Sequence, residues 1–322
     1  MGKAGNEFSN TLVKKKNQLL STVINPVKRC IMSFISYLKD GISLGSIYAI
    51  IALGYTMVYG IAKMLNFAHG DVIMVGAFVI LTAVTKASMS PILAIILSVV
   101  ICTVAGVVIE AVAYRPLRKA SSNLAVLITA IGVSYLLQNL ALLIFGADAK
   151  SFVPVINVPS LGGQLTIKGV TIVTILACIV IMVGLQLFVK KTKPGRAMQA
   201  VSEDRDAAQL MGVNVNATIS LTFAIGSGLA AIAGLLLCSA YPTLTPYTGA
   251  MPGIKAFVAA VFGGIGSIPG AMVGGILLGV IEIFSKAYIS SQVADAIVFA
   301  VLIIVLLVKP SGLFGKNIQE KV

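Results

Sequence analysis

The feature that most constrains this chain is a series of long apolar runs without charge. Residues 41–62, GISLGSIYAIIALGYTMVYGIA, contain no charged side chain. A helix needs roughly 20 apolar residues to cross the hydrocarbon core of a bilayer. Of the 322 residues, 58% are hydrophobic and 11% are charged, which leaves too little polar surface for a soluble domain. The sequence predicts an all-α polytopic membrane protein with about eight hydrophobic helical segments, at 41–62, 67–86, 91–113, 123–145, 169–189, 218–241, 254–286 and 292–309.

The basic residues are gathered in short clusters beside the apolar runs. Such clusters lie at Lys14–Lys16, Arg115–Lys119 and Lys190–Arg196. This placement is typical of cytoplasmic loops, where Lys and Arg are in excess. It accounts for the formal net charge of +13 without a nucleic-acid partner. The four cysteines are far apart, and we interpret them as buried thiols that act as small hydrophobic residues.

The same bias predicts the topology. If the basic loops and both termini are all cytoplasmic, an even number of crossings must separate them. If every segment crosses once, an odd number of crossings separates the N-terminus from Arg115, and an odd number also separates Ala217 from the C-terminal basic residues. We therefore predict six full crossings and two broken or re-entrant segments, with the N- and C-termini in the cytoplasm. Eight plain helices with the N-terminus outside are the alternative.

These considerations divide the chain into parts. Residues 1–36 are predicted to be a basic cytoplasmic N-terminal arm, and residues 37–309 the transmembrane domain. Within that domain, residues 190–217 are predicted to be a cytoplasmic loop. Residues 310–322 follow the transmembrane domain and are predicted to be a cytoplasmic tail. The segment 146–168 alternates Val and Ile with polar residues, which predicts a short hairpin on the membrane surface.

Two apolar segments contain helix-breaking residues and are therefore the candidates for the broken ones. The first reads LNFAHGDV at 65–72, and the second reads FGGIGSIPGAMVGG at 262–275. Irregular backbone at membrane depth is tolerated where protein or a water-filled cavity satisfies its polar groups, and paired broken helices point to a transport pathway. The residues that we predict to line or gate a solute path are Asn66, His69, Gly70, Asp71, Gly263, Gly264 and Gly266.

Simpler roles remain open at both breaks. Asn66 is expected to cap a half-helix, and with His69 and Asp71 it could equally fasten the break to a neighbouring helix. One His with one Asp offers too few ligands for a metal site. In the second break, the glycines of 270–279 have the small-xxx-small spacing that predicts close helix packing. This break lacks the third glycine and the preceding strand of a dinucleotide-binding loop.

The most charged stretch of the chain is the loop at 190–217, which contains SEDRDAAQLMGVNVNA. It predicts a short amphipathic helix on the cytoplasmic face, with alanines that allow close approach and apolar anchors that fit a groove in a partner. A solvated connecting loop is the alternative. The residues of this predicted coupling loop are Glu203, Asp204, Asp206, Ala207, Ala208, Leu210, Met211 and Gly212.

This loop carries a family resemblance. Asp206-Ala207-Ala208, followed after three residues by Gly212, resembles the EAA loop of ATP-binding-cassette (ABC) importer permeases, with Asp in place of Glu and without that loop's later proline. From about residue 37 to the C-terminus, the chain resembles the LivH-like permeases of branched-chain amino acid ABC importers. The stretches that carry the resemblance are LGYTMVYGIAKMLNFAHGDV (53–72), AYRPLR (113–118), GRAMQAVSEDRDAAQLMGV (195–213) and GIKAFVAAVFGGIGSIPGAMVGGILLGVIE (253–282).

The resemblance implies a function and a set of partners. Such a permease moves leucine, isoleucine and valine across the cell's inner (cytoplasmic) membrane by alternating access. It works with two ATPase subunits, a second related permease and an extracellular or periplasmic solute-binding protein. The chain has no Walker A pattern and no readable catalytic triad. We therefore expect no enzyme activity and no cofactor bound by this chain, with ATP and Mg in the partner ATPase.

Other functions stay open at this stage. Related permeases serve other amino acids or urea-type amides. An ion-coupled secondary transporter would instead use intramembrane carboxylates, for which Asp71, Glu110 and Glu282 are candidates. Of these, Glu282 is followed four residues later by Lys286, which predicts an ordinary ion pair along one helix face. A channel-like or scaffold membrane protein is a further alternative.

Overall fold

The computed structural model describes residues 2–119, 123–153, 155–156, 159 and 169–315, with side chains from residue 30 onward apart from 119 and 123. Its helices are α1 (Gly2–Ala62), α2 (His69–Thr85), α3 (Pro91–Ile109), α4 (Asn123–Phe145), α5 (Gly169–Lys191), α6 (Lys193–Glu203), α7 (Arg205–Leu210), α8 (Val215–Ala240), α9 (Ala250–Gly263), α10 (Ile268–Tyr288) and α11 (Ala294–Val308). A π-helical turn (Glu110–Tyr114) and a 3-10 turn (Pro116–Lys119) follow α3, and strands β1 (Lys150–Ser151) and β2 (Thr243–Leu244) pair antiparallel.

The helices form a buried centre and an apolar periphery. Within the described residues, six helices are long and apolar enough to cross a membrane. In α1 and α8, 94% and 83% of the most apolar window is buried inside the chain, but in α3, α4 and α5 the shares are 22%, 17% and 22%. The outward side chains of those three helices include Ile92, Leu143 and Val180, which are exposed. Because a soluble protein would carry polar residues there, this distribution confirms the predicted all-α polytopic membrane fold.

Small residues let the central helices pack closely. A Cβ added at Gly45 would lie 2.6 Å from the Cα of Ile276, and one added at Gly275 would lie 2.5 Å from the Cα of Ala49. Contacts as short as these exclude any larger side chain at either glycine. The predicted small-xxx-small packing in α10 is thus observed, and α1 is one of its partners.

The contacts along α1 and α10 show that the two helices are antiparallel. Tyr37 packs on Tyr288 with ring centroids 5.8 Å apart, and Gly60 lies opposite Gly266. Ala62 accepts a hydrogen bond from Arg205 of α7. We call the end formed by Ala62, α6 and α7 the inner end, and the end where Tyr37 meets Tyr288 the outer end.

The prediction that both termini lie on one side is wrong. The backbone N–H of Leu313 donates to Phe262, and that of Phe314 donates to Gly263, which places the C-terminal segment at the inner end. The first described side chains of α1 lie at the outer end, as Tyr37 shows. The predicted cytoplasmic arm therefore cannot share a side with the coupling loop. The reason is that α1, α2 and α3 each run between the two ends, so an odd number of passes separates the arm from the turn after α3.

The hairpin predicted at 146–168 also differs from the structure. The strand that forms there, β1, pairs with β2, which follows α8, so that Lys150 lies opposite Leu244 and Ser151 opposite Thr243. Residues 157–158 and 160–168, which would have formed the second arm of the hairpin, lie outside the described residues, as do residues 316–322 of the predicted tail.

Candidate functional site

The first break lies between the end of α1 and the start of α2, and side chains fasten it to two other helices. The hydroxyl of Tyr114 donates to Asn66 Oδ1 at 2.9 Å. The amide of Gln138, on α4, donates to Asp71 Oδ1 at 2.9 Å. Asn66 and Asp71 are both buried. The expectation that Asn66 caps a half-helix is wrong, because the first turn of α2 follows Ala68 and has no side-chain cap.

His69 fills the space between α1 and α2. Its ring packs edge-on against Tyr55, with centroids 4.7 Å apart, and a Cβ added at Gly54 would lie 2.5 Å from His69 Nε2. Within the part of the chain that the structure describes, that buried nitrogen has no hydrogen-bond partner. Beside it, a Cβ added at Gly70 would lie 2.7 Å from the carbonyl oxygen of Gly249, at the start of α9. The first break is therefore a tightly packed crossing of α1, α2 and α9.

The second break separates α9 from α10 and lies at the inner end. Gly264 has φ of 102° and Gly266 has φ of 91°, in the region that favours glycine. The hydroxyl of Ser267 accepts a hydrogen bond from the backbone N–H of Gly270 at 3.2 Å and so caps α10. Gly263 is buried beneath the C-terminal segment, because Phe314 donates to its carbonyl oxygen at 3.0 Å.

The two breaks thus differ in depth. Asn66, His69 and Asp71 of the first are buried, whereas Gly266 of the second is exposed. Nothing in these contacts tests whether a solute passes beside them. The role of Asn66, His69, Gly70, Asp71, Gly263, Gly264 and Gly266 in a solute path stays a prediction.

The predicted coupling loop forms two helices at the inner end. Asp204 has an extended backbone between α6 and α7, and its carboxylate accepts hydrogen bonds from the backbone N–H groups of Asp206 at 2.9 Å and Ala207 at 3.0 Å. Ala208 is buried, whereas Glu203 and Asp206 are exposed. This capping by Asp204 explains why the chain restarts as a separate helix.

The end of α7 presents apolar side chains away from the chain. Leu210 is 88% exposed and Met211 is 85% exposed. Gly212 ends the helix with φ of 84°, and a Cβ there would meet no atom within 4 Å. Two neighbouring apolar residues this exposed at the inner end form a surface suited to a partner groove.

A buried glutamate at the inner end fixes the turn after α3. Glu110 Oε2 lies 3.0 Å from Arg115 Nη2 and accepts from the hydroxyl of Ser220 at 2.6 Å, and Glu110 Oε1 pairs with Arg118. Arg118 also donates to Asn216 at 2.6 Å, so both arginines connect the turn to α8. Burial lowers the pKa of Arg118, an effect that the charge of Glu110 opposes.

A second buried glutamate lies toward the outer end. Glu282 Oε1 is 2.8 Å from Lys255 Nζ and 2.6 Å from Lys286 Nζ, and Glu282 Oε2 accepts from the hydroxyl of Tyr48 at 2.8 Å. Lys255 Nζ also lies 2.6 Å from Asp295. The predicted pair of Glu282 with Lys286 is present. The contributions of Lys255 and Tyr48 were missed, since they lie on other helices and no sequence spacing marks them.

The candidate carboxylates of an ion-coupled transporter are therefore all engaged. Asp71 accepts from Gln138, and Glu110 and Glu282 each pair with two cations. The charges of Glu110 and Glu282 are thus compensated by cations within the chain, whereas Asp71 is held by a neutral amide.

The comparisons with known proteins identify the family. Residues 37–306 match the model of the family described as branched-chain amino acid transport system / permease component. The chain belongs to this family. The permease is 44% identical to the high-affinity branched-chain amino acid transport system permease protein LivH of Salmonella typhimurium, over 90% of this chain and 98% of that protein. It is 43% identical to LivH of Escherichia coli K12, over the same shares. It is also 43% identical to BraD of Pseudomonas aeruginosa, over 91% of this chain and 99% of that protein.

Proposed function

We propose that this permease is the membrane-spanning subunit of an ATP-driven ABC importer that moves leucine, isoleucine and valine into the cytoplasm. The observation that carries the proposal is the similarity to LivH, which is spread over 98% of that protein. A match of this extent includes the central helices, both breaks and the coupling loop. The inner end then faces the cytoplasm, and the membrane is the inner (cytoplasmic) membrane of the cell.

We assign one set of partners to each end of the bundle. Two ATPase subunits bind ATP and Mg at the cytoplasmic side, and one of them receives α7 of this chain. A second related permease completes the solute path, and an extracellular or periplasmic binding protein delivers the solute to the outer end. This chain binds no cofactor and hydrolyses no ATP itself.

The coupling route runs from α7 into the centre of the chain. Leu210 and Met211 are exposed for contact with the ATPase, and Arg205 at the start of the same helix donates to the carbonyl oxygen of Ala62. Because Ala62 is the last residue of the buried helix α1, a displacement of α7 reaches α1 directly. Packed helices transmit such a displacement as a rigid body, since their interiors have few voids. Alternating access then arises from movement of α1 against α2 and α9 at the first break.

The solute has an apolar side chain and a zwitterionic head. A path that suits it has few charges and some oriented backbone dipoles, with positive ends available to a carboxylate. The N-termini of α2 and α10, at the two breaks, are the ends to which we assign this role. We place the solute path beside them.

Transport by the reconstituted complex tests the proposal. The permease is inserted into proteoliposomes with its ATPase subunits, partner permease and binding protein, and uptake of labelled leucine is followed with ATP on the ATPase side. We expect uptake that requires ATP and is inhibited by isoleucine and valine. Uptake that persists without any ATPase and follows an ion gradient would contradict it. If the complex takes up urea or other amino acids with ATP, and leucine has no effect on that uptake, the chain is still an importer subunit but its solute belongs to another class.

A further inference from the structure

A cavity at the inner end is lined by basic side chains from three separate elements. It has a volume of about 430 Å³ and lies between the end of α1, the turn after α3, the start of α4 and α7. Lys63 contributes from the residue after α1, Arg118 from the turn after α3, and Arg205 from the first position of α7. Among the described residues that line the cavity, none is acidic.

The charge at this cavity is only partly compensated. Arg118 pairs with Glu110, but Glu110 also pairs with Arg115, so one carboxylate serves two guanidinium groups. The side chain of Arg118 is 10% exposed, and its buried Nε has no hydrogen-bond partner among the described residues. Arg115 and Arg205 lie close enough to disfavour the charged form of Arg118. A buried donor without an acceptor and a surplus of positive charge both favour an anion in the cavity.

Apart from Tyr59, the remaining lining is apolar, which narrows the class of anion to one that carries an apolar part. This part of the wall consists of Ala62, Met64, Leu65, Leu117, Val126 and Leu127. Val126 and Leu127 belong to α4, a peripheral helix of which only 17% of the most apolar window is buried in the chain. The neighbouring α4 residues Leu124 and Ile128 are each 67% exposed, so the cavity is basic on one side and borders the lipid-facing surface of α4 on the other.

We propose that this cavity binds the phosphate group of an anionic lipid from the leaflet at the inner end. Guanidinium groups match phosphate oxygens in geometry, and basic pockets between membrane helices are suited to phosphate headgroups. Lys63, Arg118 and Arg205 contact the phosphate, and the acyl chains run along the start of α4. A soluble phosphate offers the same charge but no group to cover the apolar wall.

The bound lipid would connect elements that move in the coupling step. Lys63 follows directly on α1, and Arg205 opens α7, so a phosphate held by both links them in addition to the hydrogen bond from Arg205 to Ala62. Occupancy of the cavity is thus expected to make α1 and α7 move as one unit.

Lipid retention by the purified full-length chain tests the proposal. Native mass spectrometry would measure how much phosphatidylglycerol the chain retains as lipid is titrated, with phosphatidylcholine as the neutral comparison. Lys63→Asn and Arg205→Gln each remove one charge from the cavity. Asn tolerates the positive φ of 52° at position 63, so this variant is expected to fold. Arg196→Gln is the matched control, because Arg196 is an exposed cation at the inner end that does not line the cavity.

We expect about fivefold weaker retention of phosphatidylglycerol for each charge removed from the cavity, and unchanged retention for Arg196→Gln. Displacement of the lipid by millimolar inorganic phosphate would support a phosphate site in the cavity, but its ligand would then be a soluble phosphate and not a lipid. Equal retention of both lipids by the wild type would overturn the proposal, as would equal losses in all three variants. Displacement by leucine would also overturn it and assign the cavity to the solute path.

Discussion

The inner and outer ends of the bundle each bury one glutamate, and the two are paired in different ways. Glu110 at the inner end and Glu282 toward the outer end both meet two cations and one hydroxyl group. The partners of Glu110 are Arg115 and Arg118 in the turn that follows it, together with Ser220 of α8. This cluster fastens one turn to one helix.

The cluster around Glu282 instead joins four helices. Tyr48 belongs to α1, Lys255 to α9, and Lys286 to α10 with Glu282 itself, while Lys255 also reaches Asp295 on α11. The outer cluster therefore ties α1, α9, α10 and α11 together. At the inner end, α7 is tied to α1 by the hydrogen bond from Arg205 to Ala62. We infer that the outer end provides rigidity and the inner end provides movement.

The largest effect on stability is expected from Lys255→Met. The side chain of Lys255 is 7% exposed, and its removal leaves Glu282 with less compensation and Asp295 without its cation. Breaking a buried pair by removing one partner costs about 3 kcal/mol of the free energy of unfolding. Thermal unfolding of the purified chain in detergent measures the loss.

Lys286→Met is the matched control for that experiment. Lys286 contacts the same oxygen of Glu282, but its side chain is 39% exposed and belongs to the same helix. Its loss should cost about 0.5 kcal/mol, as expected of a helical pair in contact with solvent. Equal destabilisation by the two substitutions would mean that the outer cluster does not hold the helices together.

The next largest effect is expected from Glu110→Gln at the inner end. Gln keeps the shape but leaves Arg118 without its carboxylate, while Arg115, 44% exposed, remains hydrated. We expect a loss of about 2 kcal/mol, which is smaller than the loss caused by Lys255→Met. Ser220→Ala, which removes only the hydroxyl group that contacts Glu110, should cost about 1 kcal/mol. A larger loss from Glu110→Gln than from Lys255→Met would reverse the ranking of the two ends.

Much of the fold could be predicted from the sequence because the lipid imposes its own pattern. The apolar runs and the glycine-rich interruption between α9 and α10 are visible as composition, and the Asp-Ala-Ala-xxx-Gly stretch marks the coupling region. The pair of Glu282 with Lys286 follows from helical spacing alone. Each of these features depends on residues close together in the chain.

The features that the sequence did not reveal depend on contacts between distant residues. Lys255 pairs with Glu282 from another helix. The side-chain oxygen of Asn66, which was expected to cap a helix, instead accepts a hydrogen bond from the hydroxyl of Tyr114. The side of the N-terminus was missed because the helix breakers at 65–72 were read as a re-entrant segment. The 17-residue helix α2, which is short for a span, instead runs on from them to the other end of the bundle. Burial by neighbouring helices allows such a short helix to be stable at membrane depth.

A smaller effect is expected at two glycines that have the same backbone conformation at opposite ends. Gly212 has φ of 84° and Gly146 has φ of 82°, and at neither would an added Cβ lie within 4 Å of an atom of another described residue. Replacement of either by Ala should cost about 1 kcal/mol through the backbone alone. Only Gly212→Ala should also reduce leucine-stimulated ATP hydrolysis, because only Gly212 orients the end of α7. Similar hydrolysis in the two variants would show that the end of α7 does not need this orientation.

The smallest effect on stability should accompany a large effect on function. Replacing Leu210 and Met211 by Ser changes exposed side chains, so the free energy of unfolding should change by less than about 0.5 kcal/mol. If these side chains fill a groove of the ATPase, the double variant should lose leucine-stimulated ATP hydrolysis in the reconstituted complex. Both measurements are made on the same preparation.

Ile289→Ser provides the comparison at the other end of the bundle, since Ile289 is an exposed apolar residue just after α10. It should leave both stability and stimulated hydrolysis unchanged. Normal hydrolysis in the Leu210 and Met211 variant would separate α7 from the coupling step, and movement at the inner end would then need another contact. Loss of hydrolysis in both variants would mean that the outer end also takes part in coupling, and its four-helix cluster would have to transmit motion instead of resisting it.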